Sequence, residues 1–235
     1  MDHKRRVMLK LSGEALAGES HTGFDLDTVT GVADQVKTAY DEGVEIAVVI
    51  GGGNFWRGRT GTEVDRVKSD QIGMLATVMN CLYVSEIFKS RGMDTAVYGA
   101  FEIPGIMPVF NKDSCMRDLG SGRVVFFAGG TGHPYFSTDS GTALRAIEIE
   151  ADIILLAKAV DGVYDSDPRK NPAARRYERI SISEVVDKGL QVIDLTASVL
   201  CMENHMPLGV FSLGKPGSIA DALKGTIDGT IVTAD

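Results

Sequence analysis

Short runs of Val, Ile, Leu and Ala recur along the chain, at 7–11, 45–50, 95–98, 123–128, 152–157, 208–213 and 230–233. Within most of them hydrophobicity is continuous rather than alternating. A strand with one wet face alternates, so these runs predict strands covered on both faces, as in a parallel sheet sandwiched by helices. Between the runs, apolar positions return at helical spacing. Val29, Val32, Ala33, Val36, Ala39 and Tyr40 form one stripe, with Asp27 as its expected cap and Gly43 as its stop. The longest pattern covers about 69–89, with Ile72, Leu75, Ala76, Met79, Leu82, Tyr83, Ile87 and Phe88 on its apolar face and Gly92 beyond its end. Two shorter helical segments, 183–188 and 195–203, precede the run at 208. Neither a Pro/Ser-rich linker nor an internal repeat divides the sequence. The pattern is α/β, and 235 residues fit one domain spanning 1–235.

Composition narrows the class of partner. With 44% hydrophobic and 24% charged residues the chain is expected to fold. Twenty-four basic against 32 acidic residues give a net charge of -8, which leaves no cationic excess for a nucleic-acid polymer. Small phosphates are not excluded, because a few backbone amides and one or two basic side chains hold them locally. Cys81, Cys115 and Cys201 lack metal-site or redox spacing and read as buried thiols of a reducing compartment. The basic start, Met1 to Arg6, leads into an apolar stretch broken by Lys10, and no apolar run approaches the roughly 20 residues that cross a bilayer. A cytoplasmic protein without a membrane partner is expected.

Glycines cluster where the strand-like runs end: Ser12-Gly13, Gly51-Gly52-Gly53-Asn54 and Gly129-Gly130-Thr131-Gly132. In open α/β sheets ligands sit beyond the carboxyl ends of strands, and glycine lets backbone N–H groups approach a phosphate. A single cluster reads equally well as a turn. Three together, each near a suitable polar residue (Lys10; Arg57; Ser137, Thr138 and Asp139), predict a site of polyphosphate size. Two familiar fingerprints fail. Gly209 to Pro216 has P-loop glycine and lysine spacing, but Pro216 stands where a Mg²⁺-binding hydroxyl is required, and the three loops contain no G-x-G-x-x-G.

Lys10 interrupts an apolar strand, and an unpaired buried ammonium is costly. It is either a lysine on the wet face of an edge strand or one that reaches across the end of the sheet toward a transferring phosphate. Asp139 opens a helical run over 141–149, so it reads as an N-cap, as an orienting carboxylate for a catalytic cation, or as both. The stretch from Asp161 to Pro168 is a turn-rich loop whose Tyr164 and nearby carboxylates suit an adenosine or a solvated turn.

Read together, Leu9 to Leu16, Gly51 to Gly58, Met74 to Asn80, Thr131 to Asp139 and Val160 to Tyr164 closely resemble the bacterial-type UMP kinases of the amino acid kinase superfamily, in family order and over essentially the whole chain. The resemblance implies a three-layer α/β/α sandwich with a mainly parallel sheet, a homohexamer, and phosphorylation of UMP by ATP to UDP and ADP in pyrimidine nucleotide (CTP/UTP) biosynthesis. Mg²⁺ would arrive with ATP, and no dedicated metal cage is expected. It places Lys10, Leu11, Ser12, Gly13, Gly53 and Arg57 on the ATP phosphates, and Tyr164 with Asp167 on the adenosine. Lys158 is implied as a second phosphate-binding cation or a neighbour of the adenine. UMP would be held by Gly52, by Asp70 at the opening of the long helix, and by Thr131, Gly132, His133, Pro134, Tyr135, Phe136, Ser137 and Thr138. Lys10, Arg57 and Asp139 would carry catalysis. Several relatives of this kind are activated by GTP through basic residues on and after the long helix, where Ser85 stands in a place that some fill with arginine, so the resemblance suggests GTP activation and UTP inhibition. Separately, the loop Gly18, Glu19, Ser20, His21, Thr22 and Gly23 resembles a segment linked to regulation. The alternatives are another kinase of the superfamily, acting on acetylglutamate, aspartate or carbamate, and a non-catalytic nucleotide-binding regulator or storage protein of the same fold.

Overall fold

The computed structural model describes residues 4–57, 63–190 and 192–234. Gly58, part of the triple-glycine motif, lies outside them. In chain order the elements are β1 (Arg6–Leu11), α1 (Leu26–Asp41), β2 (Glu45–Ile50), α2 (Arg66–Ser90), β3 (Thr95–Gly99), α3 (Lys112–Gly120), β4 (Val124–Ala128), α4 (Thr138–Glu148), β5 (Ile153–Lys158), β6 (Arg179–Ser181), α5 (Ile182–Asp187), α6 (Leu195–Glu203), β7 (Leu208–Ser212), α7 (Ser218–Lys224) and β8 (Gly229–Thr233). The strands form one sheet in the order β3-β4-β2-β1-β5-β7-β8-β6. Strands β1, β2, β3, β4, β5 and β7 run parallel; β8 is antiparallel to β7, and β6 is parallel to β8.

The sheet separates two cores, which makes the expected three-layer sandwich. Val7, Leu9 and Leu11 of β1 point into one core with Val29, Val32 and Val36 of α1, Val84 and Phe88 of α2, and Ile219 of α7. Met8 points the other way, toward Leu119 of α3, Ala143 and Ala146 of α4, Val185 of α5 and Cys201 of α6. Period-two alternation therefore puts Lys10 on the face of Met8, toward α4. Because β1 lies between β2 and β5, Lys10 sits on a central strand, which removes the edge-strand reading.

Local departures from expectation have local causes. The cap of α1 is Asp25, whose Oδ1 accepts from Thr28 N at 2.8 Å, and Asp27 falls inside the first turn. Helix α2 starts at Arg66 under the cap Asp65, so Asp70 lies a full turn inside the helix rather than opening it. Strand β6 has three residues, and α3 and α7 bury only two and three side chains, too few to show a period in the sequence. Among the described residues, α2 alone is long and apolar enough to cross a membrane by length and composition. It buries Ser69, Thr77, Asn80 and Ser85 as well as Phe88, which meets Phe126 of β4 edge-on at 5.2 Å; these contacts are those of a core helix.

Candidate active site

Parallel strands deliver the carboxyl ends of β1, β2, β4 and β5 to one rim of the sheet, where the glycine clusters follow. At that rim Lys10 Nζ lies 2.9 Å from Asp139 Oδ1, with 14% and 19% of the two side chains exposed. Asp139 is the second residue of α4; the N-cap is Ser137, whose Oγ accepts from Asp139 N at 3.0 Å and Ser140 N at 3.4 Å. The capping role expected of Asp139 thus belongs to Ser137, which leaves the carboxylate free to hold the lysine. One further carboxylate, Asp194, ties two helix starts together. It accepts from the Ser137 and Ser140 hydroxyls of α4 and caps α6 through Ala197 N at 2.9 Å. Asp194 escaped the sequence reading, although an Asp directly before the 195–203 helical pattern is the signal of a cap.

Close backbone approach explains two of the glycine clusters. A Cβ on Gly13 would lie 2.3 Å from Gly51 O and 2.4 Å from Asn54 Oδ1, and one on Gly52 would lie 2.8 Å from Gly73 O of α2. Asn54 and Asn80, both buried, exchange reciprocal amide bonds at 3.0 and 2.8 Å. Asn80 also donates to Gly51 O at 2.7 Å, and Asn54 donates to Gly23 O at 2.8 Å. The triple-glycine loop is thereby fixed to α2 on one side and to the 18–23 segment on the other. Thr77 of α2 accepts from Gly129 N at 2.8 Å and anchors the third cluster. The polar interruptions at Thr77 and Asn80 in an apolar helix were visible in the sequence; their partners, 52 and 26 residues away, were not.

These loops enclose a cleft of about 370 Å³ lined by Lys10, Gly52, Gly53, Arg57, Asp70, Thr131, His133, Phe136, Ser137, Thr138 and Asp139 among the expected residues. Lys10 and Arg57 share it. Trp56, Ser69, Gly73, Met74 and Thr77 line it as well and were not expected; Trp56 Nε1 donates to Ser69 Oγ at 2.9 Å. Arg57 Nε lies 3.0 Å from Glu14 Oε1, with about half of each side chain exposed. Asp70 Oδ2 accepts from Arg66 Nε and from Tyr135 N, each at 2.8 Å. Tyr135, at φ 72° and exposed, holds its ring 5.4 Å from the Arg66 guanidinium. Gly132, at φ 80°, turns the same segment against Ala100 and, like Pro134 and Tyr135, stands outside the cleft lining.

Two further cavities continue from this cleft. One of about 620 Å³ shares Ser137 and Asp139 with it and adds Lys158 and Asp194. The next, about 520 Å³, shares Lys158 and adds Tyr164 and Asp167. Burial pushes the Lys158 ammonium below the ordinary lysine range, Asp139 draws it back up, and Lys10 pushes it down. Lys158 donates to Val192 O. The Tyr164 hydroxyl donates to Asp161 Oδ1 at 2.7 Å, which raises its pKa. The remaining expected residues lie beside the cavities rather than in them. Leu11 is a core side chain, and Ser12 Oγ caps a short turn at Ala15 N, 3.2 Å away. Among the described residues, the 18–23 segment is hydrogen-bonded to the site through Asn54, and Gly18, Glu19, Ser20, His21, Thr22 and Gly23 line none of the three cavities.

The chain is similar to a UMP kinase from Bacillus anthracis, with 34% identity and a TM-score of 0.94 over 98% of this chain and 96% of that one. It is also similar to a UMP kinase from Ureaplasma parvum, with 36% identity and a TM-score of 0.93 over 98% and 99% of the two chains. A uridylate kinase from Archaeoglobus fulgidus is more distant, at 28% identity and a TM-score of 0.71 over 97% and 99%. The model of the amino acid kinase family matches residues 5–212, which take in Lys10, Lys158, the three glycine clusters and the six mutually parallel strands β1 to β5 and β7, so the chain belongs to the amino acid kinase family.

Proposed function

We propose that the protein is an ATP-dependent UMP kinase, transferring the γ-phosphoryl group of ATP to UMP to give UDP and ADP. One observation carries the reading: the Lys10–Asp139 pair stands where an acceptor-sized cleft meets the cavities that lead to Tyr164 and Asp167. A donor and an acceptor entering from opposite ends would meet at that pair. On the acceptor side Asp70 suits a ribose, and Thr138, Gly52 and the 131–137 segment suit the phosphate and the base. On the donor side Gly13, Gly53, Lys10 and Lys158 suit the phosphates, and Tyr164 with Asp167 the adenosine.

The acceptor is itself a phosphate whose second ionisation lies near pH ~6, so attack needs no strong protein base. Catalysis then rests on alignment and on cations set where charge develops. Asp139 holds Lys10 in place. Arg57 reaches the phosphates by leaving Glu14, an exposed pair worth roughly 0.2–1 kcal/mol and easily exchanged. Among the described residues no three His, Cys, Asp or Glu side chains converge, and Asp139 is already engaged by Lys10. This donor set suits a Mg²⁺ ion carried on the ATP phosphates, which when bound would neutralise phosphate charge.

A homohexamer in the cytoplasm completes the reading. Ile72, Leu75 and Met79 of α2 are 39%, 51% and 46% exposed on one face, which suits burial against a second copy. GTP activation and UTP inhibition would act through the 18–23 segment, whose hydrogen bonds with Asn54 reach the triple-glycine loop. The decisive experiment is ADP release measured with UMP, CMP, dUMP, acetylglutamate, aspartate and carbamate as acceptors, each with and without GTP. UMP should be preferred; preference for an amino acid or carbamate, or failure to form UDP, overturns the proposal.

A further inference from the structure

The segment that carries Tyr164 and Asp167 is a hairpin with an unusual base. Tyr177 N donates to Val163 O at 2.8 Å, and Asp165 N donates to Arg175 O at 3.1 Å. A residue pair of this kind in an antiparallel ladder exchanges two bonds, each N–H to the opposite carbonyl. At 163 and 177 only one is direct. In place of the other, Val163 N donates to Thr230 Oγ1 at 2.9 Å, and that hydroxyl donates to Tyr177 O at 2.5 Å. A hydroxyl has one proton and free lone pairs, so it serves both partners at once. Thr230 is fully buried on β8, opposite Val210 of β7. The glycine of the Val-Asp-Gly turn makes room for it: a Cβ on Gly162 would lie 2.6 Å from Thr230 Oγ1 and 2.8 Å from Arg176 Cδ.

We infer that Thr230 is a positioning residue for the donor nucleotide. Its hydroxyl, wedged into the hairpin base, sets the angle at which Tyr164 and Asp167 face their cavity. The inference rests on the reading of that cavity as the ATP site. Arg176 braces the same base through Asp161 at 2.9 Å and Asp228 at 3.2 Å, but these carboxylates are about half exposed and hold it weakly. The buried hydroxyl, 67 residues along the chain from Val163, is the stronger constraint. It also gives β8, which lies beyond residue 212, where the family match ends, a part in positioning the nucleotide.

Thr230→Val keeps the shape and removes both bonds, leaving an N–H and a carbonyl facing a methyl group. The hairpin must shift to satisfy them. The expected result is an ATP KM about tenfold higher, with the UMP KM and kcat within about twofold of wild type. Thr230→Ser should restore the ATP KM. Should the valine variant fail to fold, Thr230→Ala, in which the ladder can close directly, is expected to raise the ATP KM in the same way. Tyr164→Ala, measured beside it, tests the adenosine reading itself. An unchanged ATP KM in the Thr230 variants with a raised one in Tyr164→Ala overturns the role of Thr230 alone, and no change in either overturns both. A lowered Tm without a change in ATP KM, an equal rise in both KM values, or failure of Thr230→Ser to rescue also rejects the inference.

Discussion

Lys10→Met removes the ammonium and keeps most of the aliphatic stem, so it isolates charge from packing. Phosphoryl transfer moves negative charge toward the leaving oxygen. A full positive charge ~4 Å from a developing half charge, at an effective dielectric of ~20, is worth roughly 2 kcal/mol. Removing a single preorganised donor from an active site costs about 2.7–4 kcal/mol. The two bounds together give a kcat about 30- to 1000-fold lower. Stability should fall less. Breaking a buried pair costs about 3–5 kcal/mol when a charge is stranded, but Asp139 keeps 19% of its side chain in contact with solvent and feels Lys158 nearby, so about 1–3 kcal/mol is expected. The assay is coupled ADP release at saturating ATP and UMP, with Tm and calorimetric UMP binding as controls for the fold. Asp139→Asn and the double variant complete a cycle. If Asp139 acts by orienting Lys10, the double variant will be little worse than Lys10→Met alone. A folded Lys10→Met enzyme with kcat within about threefold of wild type refutes the reasoning.

Lys158 predicts a pH dependence. Because burial lowers its folded pKa below the unfolded value near 10.5, the unfolded chain binds more protons between those two values, and stability rises with pH across that window. Lys158→Met should abolish that slope, melt no lower than wild type at neutral pH, and raise the ATP KM; a lower Tm would mean that the bond to Val192 outweighs the cost of burial. Gly13→Ala forces a methyl group to within 2.3 Å of Gly51 O and should cost about 1–3 kcal/mol or more, read as a lower Tm with weakened ATP binding. An unchanged Tm would show that the loop yields freely. Asp70→Asn keeps an acceptor for Tyr135 N and loses the charge, so it should raise the UMP KM roughly tenfold and spare the ATP KM; equal effects on both would remove Asp70 from the acceptor side.

Strands β1, β2, β4, β5 and β7 were legible within a residue or two because burial on both faces writes itself as an unbroken apolar run. Glycine clusters are legible for a related reason: the absence of a side chain is a property of one position, whatever the rest of the chain does. Partnerships are not. Ser137 and Asp139 are both good caps, and which of them closes α4 depends on the angle at which the chain leaves β4. Thr77, Asn80 and Thr230 look like polar faults in apolar segments until a loop 52, 29 or 67 residues away supplies the donor or acceptor. Lys10 joins the two levels. On an edge strand it could have turned sideways into water at no cost. On a central strand, with β2 and β5 beside it and a helical layer over its face, the ammonium finds its polar partner at the rim where α4 begins. The topology that hides a lysine in the middle of a sheet therefore also dictates that a carboxylate meets it there. That is why the strand order, which no local pattern encodes, decides whether Lys10 is a surface charge or a cation held by Asp139 at the rim of the cleft.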